Sequence, residues 1–441
     1  MSLYERDSRV IAGVEKLRFF PAEIVRGQGA RLTDTAGRQV IDLTATWTAV
    51  GVGYAHPKVV EAVSTAIANQ GYMGLSMTNP AAVELAEQLL AVTPGAENRR
   101  VYLGHAGSDA CDVALRCARH ATGKRRIIAF EHSYHGGFGT AMAVSGVHVE
   151  GGSVQRDPDS TFVPYPNPYR PGIAGIDSAV DASLTAIEAA IAAGDVACLI
   201  VEPILSDGGL IVPPDGYLTR VVDLAHAQGV LVICDEVKMG LGRPGTLHAF
   251  QHDGAVPDVV CWGKTLGAGI PLSAAAGPAA LFDGPPASAL LTTAGNPVSA
   301  AAGLAVLGIL RDEDLPGRAA RVGEHFRGLL RAVQTGHGVA GGRAADHVGD
   351  VRGRGLAIGL ELVTDQASRT PDPTLAAKVS LRAWQLGASV FVVGHSVLEI
   401  TPPLVISEAD IQTAAEIIDQ AIVDVQDGRI SDEEVSAFAG W

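Results

Sequence analysis

The stretch PDVVCWGKTLGAGIP, residues 257–271, decides how the chain reads. An apolar, β-branched run ends at Trp262, and a flexible amine, Lys264, follows it within a cluster of glycines. Solvated surface lysines are rarely placed this way. Short runs without polar alternation suit strands buried on both faces of a sheet. RRIIAF, ACLIVEP and LVICDEV share the pattern. Between them, DASLTAIEAAIAAG (181–194) and YLTRVVDLAHAQG (217–229) carry helical periodicity and stop at Gly. Strands alternating with helices predict a mainly parallel sheet, hence an α/β fold.

Composition narrows the function. The chain has 441 residues, 47% hydrophobic and 18% charged, with 52 Gly, as expected of a soluble globular enzyme of two or three domains. Its 33 basic and 48 acidic residues give a formal charge of −15, which argues against nucleic acid and anionic membranes as partners. The five cysteines, Cys111, Cys117, Cys198, Cys234 and Cys261, show no CxxC spacing. Neither disulfides nor a metal site is expected, and a reducing cytoplasm is the default. MSLYERDSRV has no positive segment leading into an apolar one, so no signal peptide is expected there.

Organisation changes along the chain. Residues 55–305 are expected to form a large domain. Residues 306–441 are expected to form a smaller α/β domain, joined by the segment 1–54. In the C-terminal part, VRGRGLAIGLELV (351–363) reads as a strand pair, LAAKVSLRAWQLG (375–387) as a helix and VLEITPPL (397–404) as a strand ended by prolines.

Ligands of open parallel sheets bind beyond the carboxyl ends of the strands. Glu202, Asp235, Lys264 and the pair Tyr134-His135 all fall at such ends. GHAGSDACDVALRCARHATG (104–123) adds a small-residue turn opening a helix. The N–H groups of that turn and the Ser108 hydroxyl suit a phosphate, although an ordinary helix capped by Ser108 or Asp109 gives the same pattern. A phosphate cradle, an acid and a lysine together describe a site for pyridoxal 5′-phosphate. The lysine forms a Schiff base with its aldehyde, and the acid protonates its ring nitrogen.

The motifs occur in a telling order. DEVKMGLGRPG, with Lys264 29 residues after Asp235, AGSDA, HSYHGG, VEPILSDGG and TTAGNP resemble those of the class III aminotransferase family. The resemblance spans nearly the whole chain. It implies pyridoxal phosphate fold type I, the aspartate aminotransferase-like fold, with a large domain and a smaller α/β domain. It also implies residue roles. Lys264 would carry the cofactor, Asp235 would pair with its ring nitrogen and Tyr134 would stack on the ring. Gly107 and Ser108 would hold the phosphate, with Val237 also at the cofactor. Thr292 would reach the phosphate of a neighbouring subunit, which implies a homodimer. Glu202 would be a structural hydrogen-bond partner.

Two positions depart from the family pattern. DEVQ is here DEVK, so Lys238 replaces an amide near the cofactor, with Asp207 as its expected partner unless it points to solvent. Where many members carry an arginine that grips a substrate carboxylate, as in VLRIAPPL, this chain has Glu399. A carboxylate facing another at 4 Å is repelled by about 1 to 4 kcal/mol, so a substrate without a free α-carboxylate is expected. LRFFP, SDGGLIVPPDGYL (206–218), DEVK, PYPNPYRP (164–171) and FAGW (438–441) resemble the racemising branch of the family typified by α-amino-ε-caprolactam racemase. The matching site positions are Trp47, Tyr134, Asp207, Lys238 and Lys264.

The resulting expectation is a racemase of α-amino acid amides or lactams. Two groups would exchange a proton at the substrate Cα: Lys264 on one face and Asp207 on the other. Lys238 would orient Asp207, Tyr134 is the alternative second base, and Trp47 would wall the substrate or simply pack in the interior. The alternative is an aminotransferase acting on amines, ω-amino acids or amides.

Overall fold

The computed structural model describes residues 1–70, 74, 77–95, 98–172 and 175–438. The four apolar runs lie side by side in one seven-stranded sheet. Its order is Arg99–Gly104, Ser273–Pro278, Val259–Trp262, Leu231–Asp235, Val196–Val201, Arg126–Phe130 and Ser160–Val163. The last five strands run parallel to one another. Ser273–Pro278 runs antiparallel to both of its neighbours, which makes the sheet mixed.

The lack of polar alternation in these strands follows from burial on both faces. Ile127, Ala129, Cys198, Ile200, Ile233 and Cys261 pack with Ala110, Cys111, Val113 and Ala114 of the helix Gly107–Thr122. The intervening side chains, including Ile128, Phe130, Leu199, Val201, Val232, Val260 and Trp262, belong to the main core with Ile187 and Val221 of the helices Ile176–Ala192 and Tyr217–Ala227.

Two smaller sheets complete the scaffold. Val348–Arg354, Ala357–Leu362, Val397–Ile400 and Phe391–Val393 form an antiparallel sheet, with the expected hairpin at its edge. Ile24–Gln28, Arg31–Asp34 and Gln39–Asp42 form a meander that accepts Ala388–Ser389 as a parallel partner, so the two ends of the chain are joined. The helix Pro297–Asp312 follows TTAGNP directly. Asn296 caps it by accepting from the N–H groups of Val298 and Ser299, and proline occupies its first turn. Of the FAGW marker, residues 439–441 lie outside the described residues. Among the described residues, no helix is long and apolar enough to cross a membrane.

Candidate active site

The carboxyl ends of the central strands open into a cavity of about 450 Å³ lined by Gly107, Ser108, Tyr134, Asp235, Val237, Lys238 and Lys264. Lys264 follows Trp262 by one glycine and opens a short 3-10 turn, Lys264–Gly267, in the left-handed region (φ 43°). What exposure it keeps is into the cavity. Burial and the nearby Lys238 ammonium lower its proton affinity, against the opposing pull of Asp207, Asp235 and Glu202. A lysine held that way is more readily a neutral nucleophile.

Asp235 ends its strand with its carboxylate oriented by three donors. Oδ1 accepts from Val237 N–H at 3.0 Å. Oδ2 pairs with His135 Nδ1 at 2.8 Å and accepts from Cys111 Sγ at 3.4 Å. The sequence named His135 only as half of an aromatic pair, and Cys111 carried no signal at all. The adjacency of His135 to Tyr134 was the available clue.

The turn opening the helix Gly107–Thr122 is built differently from either capping expectation. The residue preceding the helix Gly107–Thr122 is Ala106, which offers no side-chain cap. Asp109 instead reaches back, accepting from the N–H groups of His105 and Ala106 at 2.8 and 3.1 Å. The first N–H groups of the helix thus lack a side-chain acceptor, as an anion site requires. Ser108 Oγ accepts from Gly137 N–H at 3.0 Å, which leaves its own O–H to donate elsewhere. A Cβ on Gly107 would stand 2.4 Å from Val237 Cγ1, so the backbone there presses directly on the wall of the cavity.

Glu202 is a hub. Oε1 accepts from Tyr134 N–H at 2.9 Å, and Oε2 accepts from Ser206 N–H and Oγ at 3.1 and 2.5 Å. Burial pushes its carboxyl up to about 7. It ties the Tyr134 turn to the turn bearing Asp207. The Tyr134 ring lies 6.0 Å from Lys264 Nζ. Burial, and then the charge of Asp207, push its phenol up to about 12, which makes it a weak candidate for the second base.

Lys238 does not point to solvent. Its Nζ lies 2.9 Å from Asp207 Oδ1 and 2.8 Å from Glu399 Oε1. Burial alone would lower its proton affinity, but the two carboxylates outweigh that and hold it as an ammonium. Asp207 was the expected partner; Glu399 was expected at the substrate instead. The structure buries Glu399 behind Lys238, where the ammonium compensates much of its charge, so the direct repulsion of a substrate carboxylate is weakened.

Trp47, expected as a substrate wall, stands with its ring 4.8 Å from Lys238 Nζ and packs on Phe391 and Phe19. Its turn is unusual: Ala45, Thr46, Trp47 and Thr48 all have positive φ, from 44° to 68°. For non-glycine residues this conformation costs about 1–2 kcal/mol each. Thr265 Oγ1 donates to Thr48 O at 2.7 Å and Thr48 Oγ1 to Lys238 O at 3.3 Å, which pins the turn to both lysine-bearing segments. Thr292 is exposed on the turn before Asn296, while its neighbour Thr293 meets His105 of the same chain at 3.0 Å.

A family comparison decides the frame: residues 12–422 match aminotransferase class-III. The chain belongs to the class III aminotransferase family. Its fold is pyridoxal phosphate fold type I and its cofactor is pyridoxal 5′-phosphate. The chain is 34% identical to an alanine/serine racemase of Pyrococcus horikoshii, over 98% of this chain and 92% of that protein. It is 33% identical to an isoleucine 2-epimerase of Lentilactobacillus buchneri, over 100% and 98%. An amine transaminase from an uncultivated Pseudomonas species, solved with pyridoxal phosphate bound, superposes with a TM-score of 0.83 at 29% identity, over 91% of this chain and 94% of that one.

The residues present fit that cofactor. An oriented carboxylate, an amine of lowered proton affinity and uncapped helix N–H groups all border one cavity. If Gly107 is part of the phosphate turn, Gly107→Ala must push that turn outward. Overpacking of this kind costs about 1–3 kcal/mol, so cofactor affinity is expected to weaken by about tenfold or more in a reconstitution titration. Unchanged affinity would remove Gly107 from the cofactor site.

Proposed function

We propose that this class III enzyme is a racemase of α-amino acid amides or lactams that moves a proton between the two faces of the substrate Cα. The observation that carries the reading is the buried Asp207–Lys238 pair beside the cavity bordered by Lys264. A 1,3-proton shift of the aminotransferase kind needs only one acid–base group, Lys264. Racemisation needs a second, on the opposite face.

Lys264, Asp235, Gly107, Ser108, Tyr134 and Val237 would hold pyridoxal phosphate, which when bound supplies the electron sink that acidifies the substrate α-hydrogen. Lys264 would take or return the proton on one face. Asp207, directly or through a water, serves the other. Lys238 holds the Asp207 carboxylate in place and Trp47 closes the far side of the ammonium. Thr292, exposed in the single chain, would contribute to the phosphate site of a second copy, making the enzyme a homodimer. The exposed Phe138 and Leu290 are consistent with a face that such a copy covers.

Two features support a substrate with a neutral carbonyl end. Among the described residues, no arginine lines the cavity. The position that would offer a carboxylate clamp holds Glu399, already committed to Lys238. The names of the two racemising relatives favour a second reading, a free α-amino acid as substrate. Incubating the holoenzyme with single enantiomers of amides, lactams and free amino acids, followed by chiral chromatography, distinguishes the two. The first reading predicts faster interconversion of the amides. The same mixtures test the aminotransferase alternative: conversion of the cofactor to pyridoxamine phosphate with a keto product, at a rate matching any loss of substrate, would replace racemisation as the function.

A further inference from the structure

Lys238 is the centre of a buried ionic row, not one half of a pair. Its Nζ stands between Asp207 Oδ1 and Glu399 Oε1, at 2.9 and 2.8 Å, and the three side chains are 4%, 6% and 1% exposed in the order Lys238, Asp207, Glu399. The Trp47 ring occupies a further side of the ammonium. Glu399 is fixed by its strand: it is in register with Gly359 on one side and Phe391 on the other. Among the described residues, Lys238 is the one cation within ion-pair distance of its carboxylate, at 2.8 Å.

The charges of the row decide what Asp207 can do. One ammonium held by one buried carboxylate favours the ionised form of that carboxylate and makes it a poor base. A second carboxylate on the same ammonium acts in the opposite sense, because like charges favour protonation of one of them. With one cation and two anions the row carries a net charge of −1. Transfer of one proton from the substrate Cα to a carboxylate oxygen of Asp207 leaves the electron pair with the substrate and brings the row to neutrality. Return of that proton restores the negative charge.

Resting on the racemase reading above, we infer that Glu399 is a positioning residue: by taking a share of the Lys238 ammonium it sets how firmly that ammonium holds the Asp207 carboxylate when Asp207 meets the α-proton. The other groups that face the row do not replace it. Tyr134, His148, Glu202 and Lys264 face Asp207, and Lys264 and Arg243 face Glu399. Tyr134 stays protonated up to about 12, and Lys238 stays charged throughout the working range. Burial, and then Asp207, raise the Glu399 carboxyl above its usual range against the pull of Lys238, as expected of two acids sharing one cation.

The test is the pH dependence of α-hydrogen exchange in heavy water by the holoenzyme, read separately for each enantiomer. Glu399→Gln keeps the shape of the side chain and removes its charge. The acidic limb of exchange on the Asp207 face is expected to move down by about one pH unit, and the plateau rate there to fall by about tenfold, as a weaker base requires. Exchange on the Lys264 face should move less, because Lys264 is the weakest of the groups acting on Glu399. Glu399→Asp, which retains the charge, should return the limb toward its wild-type position. An unmoved or upward-moving limb in Glu399→Gln, or identical profiles for the Gln and Asp variants, overturns the role of Glu399. Failure of the racemase reading is separate: there, Asp207→Asn would leave exchange on both faces unchanged.

Discussion

Lys264→Ala is expected to abolish turnover in both directions, with a loss of about 10⁴-fold or more. On the proposed roles, two contributions disappear together: the covalent anchor for the cofactor and the acid–base group for one face of Cα. The side chain sits where such a group must sit, at the exit of the buried strand Val259–Trp262 and bordering the cavity. Its lowered proton affinity, caused by burial and Lys238, suits both tasks. Asp235 and the Gly107–Ser108 turn do not depend on it, so the variant should still bind pyridoxal phosphate. The yellow colour of the lysine-linked cofactor should be absent, and added substrate amine should bind without being turned over. Retained activity, or a retained lysine-linked chromophore, would end the assignment of Lys264.

Asp207→Asn should give a different pattern. Asparagine fills the same volume and cannot accept the α-proton. Interconversion of enantiomers is expected to fall by about 10²–10⁴-fold, the usual contribution of one positioned acid–base group. Hydrogen exchange with solvent should persist for the enantiomer whose α-hydrogen faces Lys264 and collapse for the other. The fold should survive, because Lys238 keeps Glu399 as its partner. Equal rates in both directions with wild-type magnitude would exclude Asp207 as the second base. Tyr134 is not a ready substitute: its phenol is pushed up to about 12, and its backbone is tied to Glu202.

The sequence was informative wherever local pattern and function coincide. The strands ending at Val201, Asp235 and Trp262 were readable because burial on both faces removes polar alternation from each of them. The cavity at their carboxyl ends was foreseeable because ligands of open parallel sheets bind there. Other features depend on contacts that no local pattern encodes. Glu399 meets Lys238 only because the strand Val397–Ile400 packs behind DEVK, so the residue was read against a substrate rather than against its true partner. The parallel pairing of Gln39–Asp42 with Ala388–Ser389 is equally non-local. The left-handed turn Ala45–Thr48 contains no glycine, the usual signal for that conformation, and is held by Thr265 from the far side of the cavity. Ala106 in place of a side-chain cap was hidden for a different reason. Asp109 has the composition of a capping residue, but its carboxylate is used by His105 and Ala106 and by Ser273, at 2.5 Å from Ser273 Oγ.

The most direct measurement of two-base racemisation follows one enantiomer of an amino acid amide through early turnover by the holoenzyme in heavy water. Two groups on opposite faces predict that the newly formed enantiomer carries solvent deuterium at Cα from its first appearance, and that no keto product accumulates. A new enantiomer that retains its original hydrogen, or a keto product formed with pyridoxamine phosphate and no enantiomer at all, would contradict it.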